Sequence, residues 1–476
     1  SSQEDLEKIP MLQRSDIEKK AEGFSYEVKE ESGIPVIHSP LFTSGIGYLK
    51  VLFDFSVLPD EDIPYGALLK SVLGYVDTEH YSYSDLTSEI YLNSGGLDFS
   101  VGVSSYSTYY IVGGSQKMGE PGNFTGTFTA SVKVLYEKLD FAFEMLEEIL
   151  LRSKLTDEKR LGEILDETMS RARMRLENSS HSSAAMRAAS YYSPLSSFYD
   201  RTGGIGFYQF LEKITERCSK EEGYRLKLGK KLMEVAKTLF TASNMTVSYT
   251  ADEEGYGRLP AALAAFKAVL PEGNGIRYPY EFKPELKNEG FRTASQVNYV
   301  ACCGTFGESA YTGALKVLKV ILNYEYLWVN LRVKGGAYGC MSSFGRNGET
   351  MLVSYRDPKL GETNRVYEGI PEYLRTFSID DRDMTKYVIG AFSELDAPLN
   401  PAAKGARNLG AWLSGVTDEM IQRERDQVLN VTQEDIRALA GLLESVLNTG
   451  ALCAIGNDQQ IVNEQELFNE IKHLYH

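Results

Sequence analysis

The second half of this 476-residue chain replays the order of elements found in the first, and this repeat limits the fold more tightly than any single motif. In the first half Leu49, Val51, Phe53 and Phe55 alternate with Lys50, Leu52 and Asp54, the period-2 pattern of a half-buried strand. A turn at 59–64 leads to an apolar helical run at 65–73, and a Gly95-Gly96 pair opens further β-type sequence. Leu135, Leu139, Ala142, Leu146 and Leu150 recur at helical spacing, and a second helix rich in Arg and Glu covers 157–177. Met245, Val247 and Tyr249 form a strand, followed by the acidic turn Asp252-Glu253-Glu254 and a helix over 260–269. In the second half Val297, Tyr299, Ala301 and Cys303 alternate. Tyr311-Thr312-Gly313-Ala314-Leu315 echoes the helix start at Tyr65, and Gly335-Gly336 echoes Gly95-Gly96. A strand at 451–455, a turn at Asn457-Asp458 and an expected helix over 464–474 close the second copy. A period of roughly 200–250 residues is far too long for a solenoid.

The expected architecture is therefore α+β (α/β mixed): two tandem homologous domains, each a mainly antiparallel sheet packed with helices. Residues 1–22 are charged and loosely helical, the end of a connecting segment. The first domain is expected over 23–275 and the second over 276–476, with the Pro- and Gly-rich stretch 271–284 between them. With 43% hydrophobic and 24% charged residues, the chain has the composition of an ordinary globular protein. Its net charge of −16 argues against nucleic acid as a partner, because phosphate binding needs a basic field. No apolar run approaches the roughly 20 residues that span a bilayer, so no membrane role is expected. The five cysteines form no CxxC pair and read as buried reduced thiols, which suits the cytoplasm. A polar start without an initiator Met suggests no leader peptide and a chain cut from something longer.

Catalytic signatures of the common kinds are missing: no P-loop, no GxSxG elbow and no zinc ribbon. The five histidines are scattered, at 38, 80, 181, 473 and 476. Val76-Asp77-Thr78-Glu79-His80 reads like an H-x-x-E-H zinc helix in which the first His has become Val76. Glu79 and His80 alone cannot make a catalytic site that needs three protein ligands, so no metal is expected here. A solvent-side acidic turn is the plainer reading of that stretch. The other stretch is Leu331-Arg332-Val333-Lys334-Gly335-Gly336-Ala337-Tyr338-Gly339. Across a Gly-Gly turn, Arg332 and Tyr338 can aim a guanidinium and a phenol at one carbonyl or oxyanion. An Arg on a helix end and a Tyr in a strand, with no shared task, is the competing reading.

That stretch, together with Ser354-Tyr355-Arg356-Asp357-Pro358, resembles the C-terminal half of insulinase-type zinc metallopeptidases of the presequence-protease and falcilysin branch. Gln296-Val297-Asn298-Tyr299-Val300, Ala172-Arg173-Met174, Gly415-Val416-Thr417-Asp418-Glu419 and Ser39-Pro40-Leu41-Phe42-Thr43 extend the resemblance over nearly the whole chain. It implies four homologous domains in two halves, joined by a helical hairpin and closing around a peptide chamber. Zinc belongs to the N-terminal catalytic half, which would be the partner of this chain; unstructured peptides would be the substrates. This half would need no cofactor of its own. Its Arg332 and Tyr338 would contact the substrate carbonyl, with Gly335 and Gly336 lining the substrate site. The alternative is a stand-alone inactive subunit that binds peptides or an active partner.

Overall fold

The computed structural model describes residues 4–5, 8–105, 109–112, 115–118 and 123–476. Its strands are β1 (Glu27–Glu31), β2 (Ile34–Ser39), β3 (Ile46–Asp54), β4 (Gly96–Ser105), β5 (Tyr109–Val112), β6 (Ser115–Met118), β7 (Phe124–Leu135) and β8 (Met245–Thr250) in the first half. The second half contributes β9 (Glu289–Thr293), β10 (Tyr299–Thr305), β11 (Gly339–Phe344), β12 (Glu349–Tyr355), β13 (Ala451–Asn457) and β14 (Glu470–His473). One sheet runs β1-β2-β8-β3-β7-β4 and the other β11-β12-β10-β13-β9-β14, while β5 and β6 form a separate hairpin.

The repeat is visible strand by strand. The path β2-β8-β3-β7-β4 corresponds to β9-β13-β10-β12-β11, with its one parallel contact in the same place. The remaining three contacts of each path are antiparallel. The sixth strands differ, because β1 makes an antiparallel hairpin with β2 whereas β14 lies parallel to β9. In each copy the central strand feeds a helix, Ile63–Val72 after β3 and Ala314–Tyr324 after β10. The architecture is α+β, two mixed six-stranded sheets packed with helices.

By contact density the chain forms two compact units. One contains Phe24–Glu285 and Leu399–Val416, and the other contains Leu286–Pro398, Thr417–Tyr475 and the stretch ending at Gly23. The helix Pro401–Ser414 thus packs on the first unit's sheet although it lies deep in the second half of the sequence. Leu409, Trp412 and Leu413 cover Ile37 and Leu52. This explains a break in β3's alternation: Leu49, Val51 and Phe53 are buried on one face, and Leu52 is buried on the other. Side chains of this size gain about 1.5–3 kcal/mol each when taken from water.

One expected helix is absent. Residues 464–474 form a 3-10 turn, Gln465–Leu467, and then β14, instead of one helix. The apolar positions at helical spacing are too few to outweigh the backbone ladder with β9, which Gly290 allows: a Cβ there would meet Phe468 at 2.8 Å. Glu4 and Asp5 are helical, and from Lys8 to Glu22 the single helical turn is Arg14–Asp16, anchored where Arg14 donates to the carbonyls of Leu429 and Val431. Residues 1–3 and 6–7 lie outside the described residues.

Candidate functional site

The segment Val76–His80 does not lie on a helix. Helix Ile63–Val72 ends first, and Gly74 at φ +88° turns the chain away. Thr78 then bridges to Ser153, so Val76, Glu79 and His80 never stand one helical turn apart on one face. Val76 is a core residue at 1% exposure and has no lone pair to offer. His80 is committed to Glu148: the imidazole Nδ1 lies 2.8 Å from Oε2, and the His80 amide donates to Oε1 at 2.8 Å. These residues do not fit a zinc ion. Among the described residues no group of three His, Cys, Asp or Glu converges on a metal-sized gap.

The hydrogen bond that the imidazole donates to the Glu148 carboxylate raises the His80 pKa above its ordinary value. A group whose folded pKa is raised adds stability below the unfolded value and loses it as pH rises through the folded one. The His80 imidazole should therefore titrate by NMR with a midpoint above about 6.5, and Glu148→Gln should return it toward that value. A wild-type midpoint at or below the ordinary value would refute the pairing.

The second stretch is built differently. Helix Ala314–Tyr324 is followed by a π-helical turn, Trp328–Val333, in which Lys334 N–H donates to the Val329 carbonyl. Such wide turns cost hydrogen-bond quality and are frequent at functional sites. Leu331 faces the core at 2% exposure, whereas Trp328, Val329, Arg332 and Val333 face outward. The turn is closed by Gly336 N–H to Arg332 O and Ala337 N–H to Leu331 O. Both glycines are needed there. Gly336 has φ +83°, which disfavours any L side chain, and a Cβ on Gly335 would sit 2.6 Å from the Leu331 carbonyl.

This closure delivers Tyr338 to the start of β11, its N–H shared between the carbonyls of Tyr355 and Arg356. The Arg332 guanidinium carbon lies 4.3 Å from the Trp328 ring centroid and 5.4 Å from that of Tyr338. Tyr338 is 62% exposed. Arg332 and Tyr338 therefore share one surface, as the Gly-Gly spacing led us to expect, and Arg332 has no carboxylate at ion-pair distance among the described residues.

Asp357, the obvious rival acceptor for Arg332, points the other way. It is fully buried, accepts from Thr363 Oγ1 at 2.5 Å and from Lys359 N–H at 2.9 Å, and burial raises its pKa. Its backbone pairs in both directions with Asn298.

Sequence reasoning gave no role to three neighbours. Trp328 carries a readable signal, since i and i+4 place it under Arg332. Tyr355 meets Tyr338 edge-on at 5.9 Å and Tyr299 at 5.6 Å, a contact between strands that no local pattern shows. Arg356 adopts φ +48°, which nothing in its residue type foretells.

A cavity of about 510 Å³ in the first unit, walled by Phe55, Phe124, Phe198 and Tyr280, shows no comparable set of open donors. Its Arg277 already donates to Ser56 and Asn244 and lies 3.7 Å from Asp54.

A family model for the associated domain of M16 peptidases, subfamily C, matches residues 1–214, and one described as "PreP C-terminal domain" matches residues 288–457. "Protein HypA" of Clostridium perfringens is 33% identical over 98% of the chain and 47% of that protein. "Presequence protease 1, chloroplastic/mitochondrial" of Arabidopsis thaliana is 28% identical over 98% of the chain and 43% of that protein. The chain thus spans about half the length of the curated relatives it matches. Among solved structures, a peptidase M16 inactive domain from Pseudomonas fluorescens has the same fold. Its TM-score is 0.61 at 15% identity, over 91% of this chain and 98% of that one.

Proposed function

This chain belongs to the insulinase-type peptidases, in the presequence-protease branch, and corresponds to their non-catalytic C-terminal half; from that premise we propose that it closes a peptide chamber against a zinc-bearing half and holds the substrate carbonyl with Arg332 and Tyr338. The observation that supports this reading is the exposed pair of Arg332, on the π-helical turn, and Tyr338, just before β11, unsatisfied by any carboxylate among the described residues. Zinc held by the partner half would supply the metal-activated water that hydrolyses peptides. This chain's share is different. The Arg332 guanidinium and Tyr338 hydroxyl donate to a peptide carbonyl, and those bonds strengthen as negative charge develops on its oxygen. Trp328 keeps Arg332 extended over the same surface, and the stacked cation retains its full set of N–H donors. Unstructured peptides are the substrates, since a donor pair of this kind reads backbone. The five free thiols support a reducing compartment such as the cytoplasm.

The test is reconstitution. The purified chain alone should cleave no peptide. Added to the zinc-bearing half, it should restore chelator-sensitive cleavage, and Arg332→Gln should lower that activity by about 10²-fold. Chelator-sensitive cleavage by the chain alone, or full activity of the other half without it, would refute the proposal.

A further inference from the structure

We infer that Arg356 extends this site into a carboxylate-recognising subsite, so that peptides carrying a carboxylate beside the bound carbonyl are preferred. The inference rests on the peptide-binding reading above and adds a substrate class to it. Three observations support it.

First, Arg356 is placed on the same aromatic surface as Arg332. Its guanidinium carbon lies 6.0 Å from the Tyr338 centroid and 5.4 Å from that of Tyr355. Tyr338 therefore has a cation near it from each of two separate elements, the π-helical turn and the end of β12.

Second, this positive charge is not neutralised. Arg332, Lys334 and Arg356 are all exposed, and none has a carboxylate at ion-pair distance among the described residues. Arg356 does hydrogen-bond the Tyr299 phenol, a neutral group that leaves the charge in place. In a chain of net charge −16, such a cluster concentrates a local positive field. The adjacent carboxylate, Asp357, could neutralise it but is turned inward to Thr363.

Third, the backbone is strained to achieve this. Arg356 sits at φ +48°, a conformation that side chains other than glycine, asparagine and aspartate seldom adopt. The conformation sends the Asp357 side chain into the core while the Arg356 side chain remains outside. Glycine would hold this conformation without strain, whereas the guanidinium present offers the planar fork that matches a carboxylate.

The partner is thus a peptide carboxylate, supplied either by an Asp or Glu side chain or by a free C-terminus. Three peptides of one unstructured sequence distinguish these sources. The first is amidated with Gln at its centre. The second is amidated with Glu at that position. The third keeps Gln but has a free C-terminal carboxylate. Binding to the chain is measured by calorimetry at low ionic strength.

One of the two carboxylate peptides, or both, should bind about tenfold tighter than the neutral one, and added salt should shrink that ratio. Arg356→Gln should reduce it to about twofold, and Arg356→Lys should keep an intermediate value because the charge remains but the fork does not. Equal binding of all three peptides, or a ratio that survives Arg356→Gln, overturns the inference and leaves the peptide-binding reading standing. If no peptide binds, both fall. Should Arg356→Gln melt far below the wild type, the wild-type ratio and Arg356→Lys decide the matter.

Discussion

Tyr338→Phe is expected to lower kcat of the protein carrying both halves by about 10²–10³-fold, the usual loss when one oxyanion donor is removed. The geometry predicts where that loss falls. The Tyr338 ring keeps its edge contact with Tyr355 and its place near Arg332, and both contacts involve atoms that phenylalanine retains. The backbone N–H bonds to Tyr355 and Arg356 are likewise untouched. Only one hydroxyl on a side chain 62% exposed disappears, so the melting temperature should barely move; surface changes of this kind stay within about 0.5 kcal/mol. If the hydroxyl acts only as charge develops, kcat and kcat/KM fall together and KM holds. A raised KM with unchanged kcat would assign the hydroxyl to ground-state binding. A large drop in melting temperature with intact turnover would make Tyr338 a structural residue and end the proposal.

How much of this was legible in the sequence depends on whether the cause is local. The alternation around β3, the helix after it and their second copies are local patterns, and in the structure they sit in a five-strand path that recurs in both sheets. The Arg332–Tyr338 pairing was legible for the same reason, since a Gly-Gly closure six residues long fixes where both ends go. What escaped is non-local or conformational. Nothing in the Pro401–Ser414 sequence says that its Leu409 and Trp412 belong against Ile37 and Leu52. The Val76–His80 string matched a motif, but Gly74 ends the helix the motif requires, and a letter pattern carries no backbone angle. The strand β14 exists because β9 offers an unpaired edge, a fact about a partner about 180 residues away. Arg356 was quoted as part of a motif, yet its left-handed backbone gives it a different direction from its neighbours.

Asp200→Ala should be the most damaging single change in the first unit, costing about 3–5 kcal/mol, because it leaves a buried guanidinium without its carboxylate. Arg187 Nη1 donates to Asp200 Oδ2 at 2.7 Å, with the two side chains only 8% and 4% exposed. The carboxylate sits in a cradle made for it. Its other oxygen accepts from the Gly206 N–H at 3.2 Å, and a Cβ on Gly206 would lie 2.5 Å from Oδ2. Asp200 thereby ties the helix Pro194–Gly203 to the helix Ser180–Ser190 and to the start of Ile205–Lys220. Removing one partner and removing both are different experiments. Taking a charge pair out of water is costly, so the double change Arg187→Met with Asp200→Leu should recover most of the loss, although each single change is severe. Urea unfolding midpoints of the two singles and the double measure the coupling directly. Additive losses in the double variant would show that the pair acts independently, and the cradle would then be a matter of packing alone.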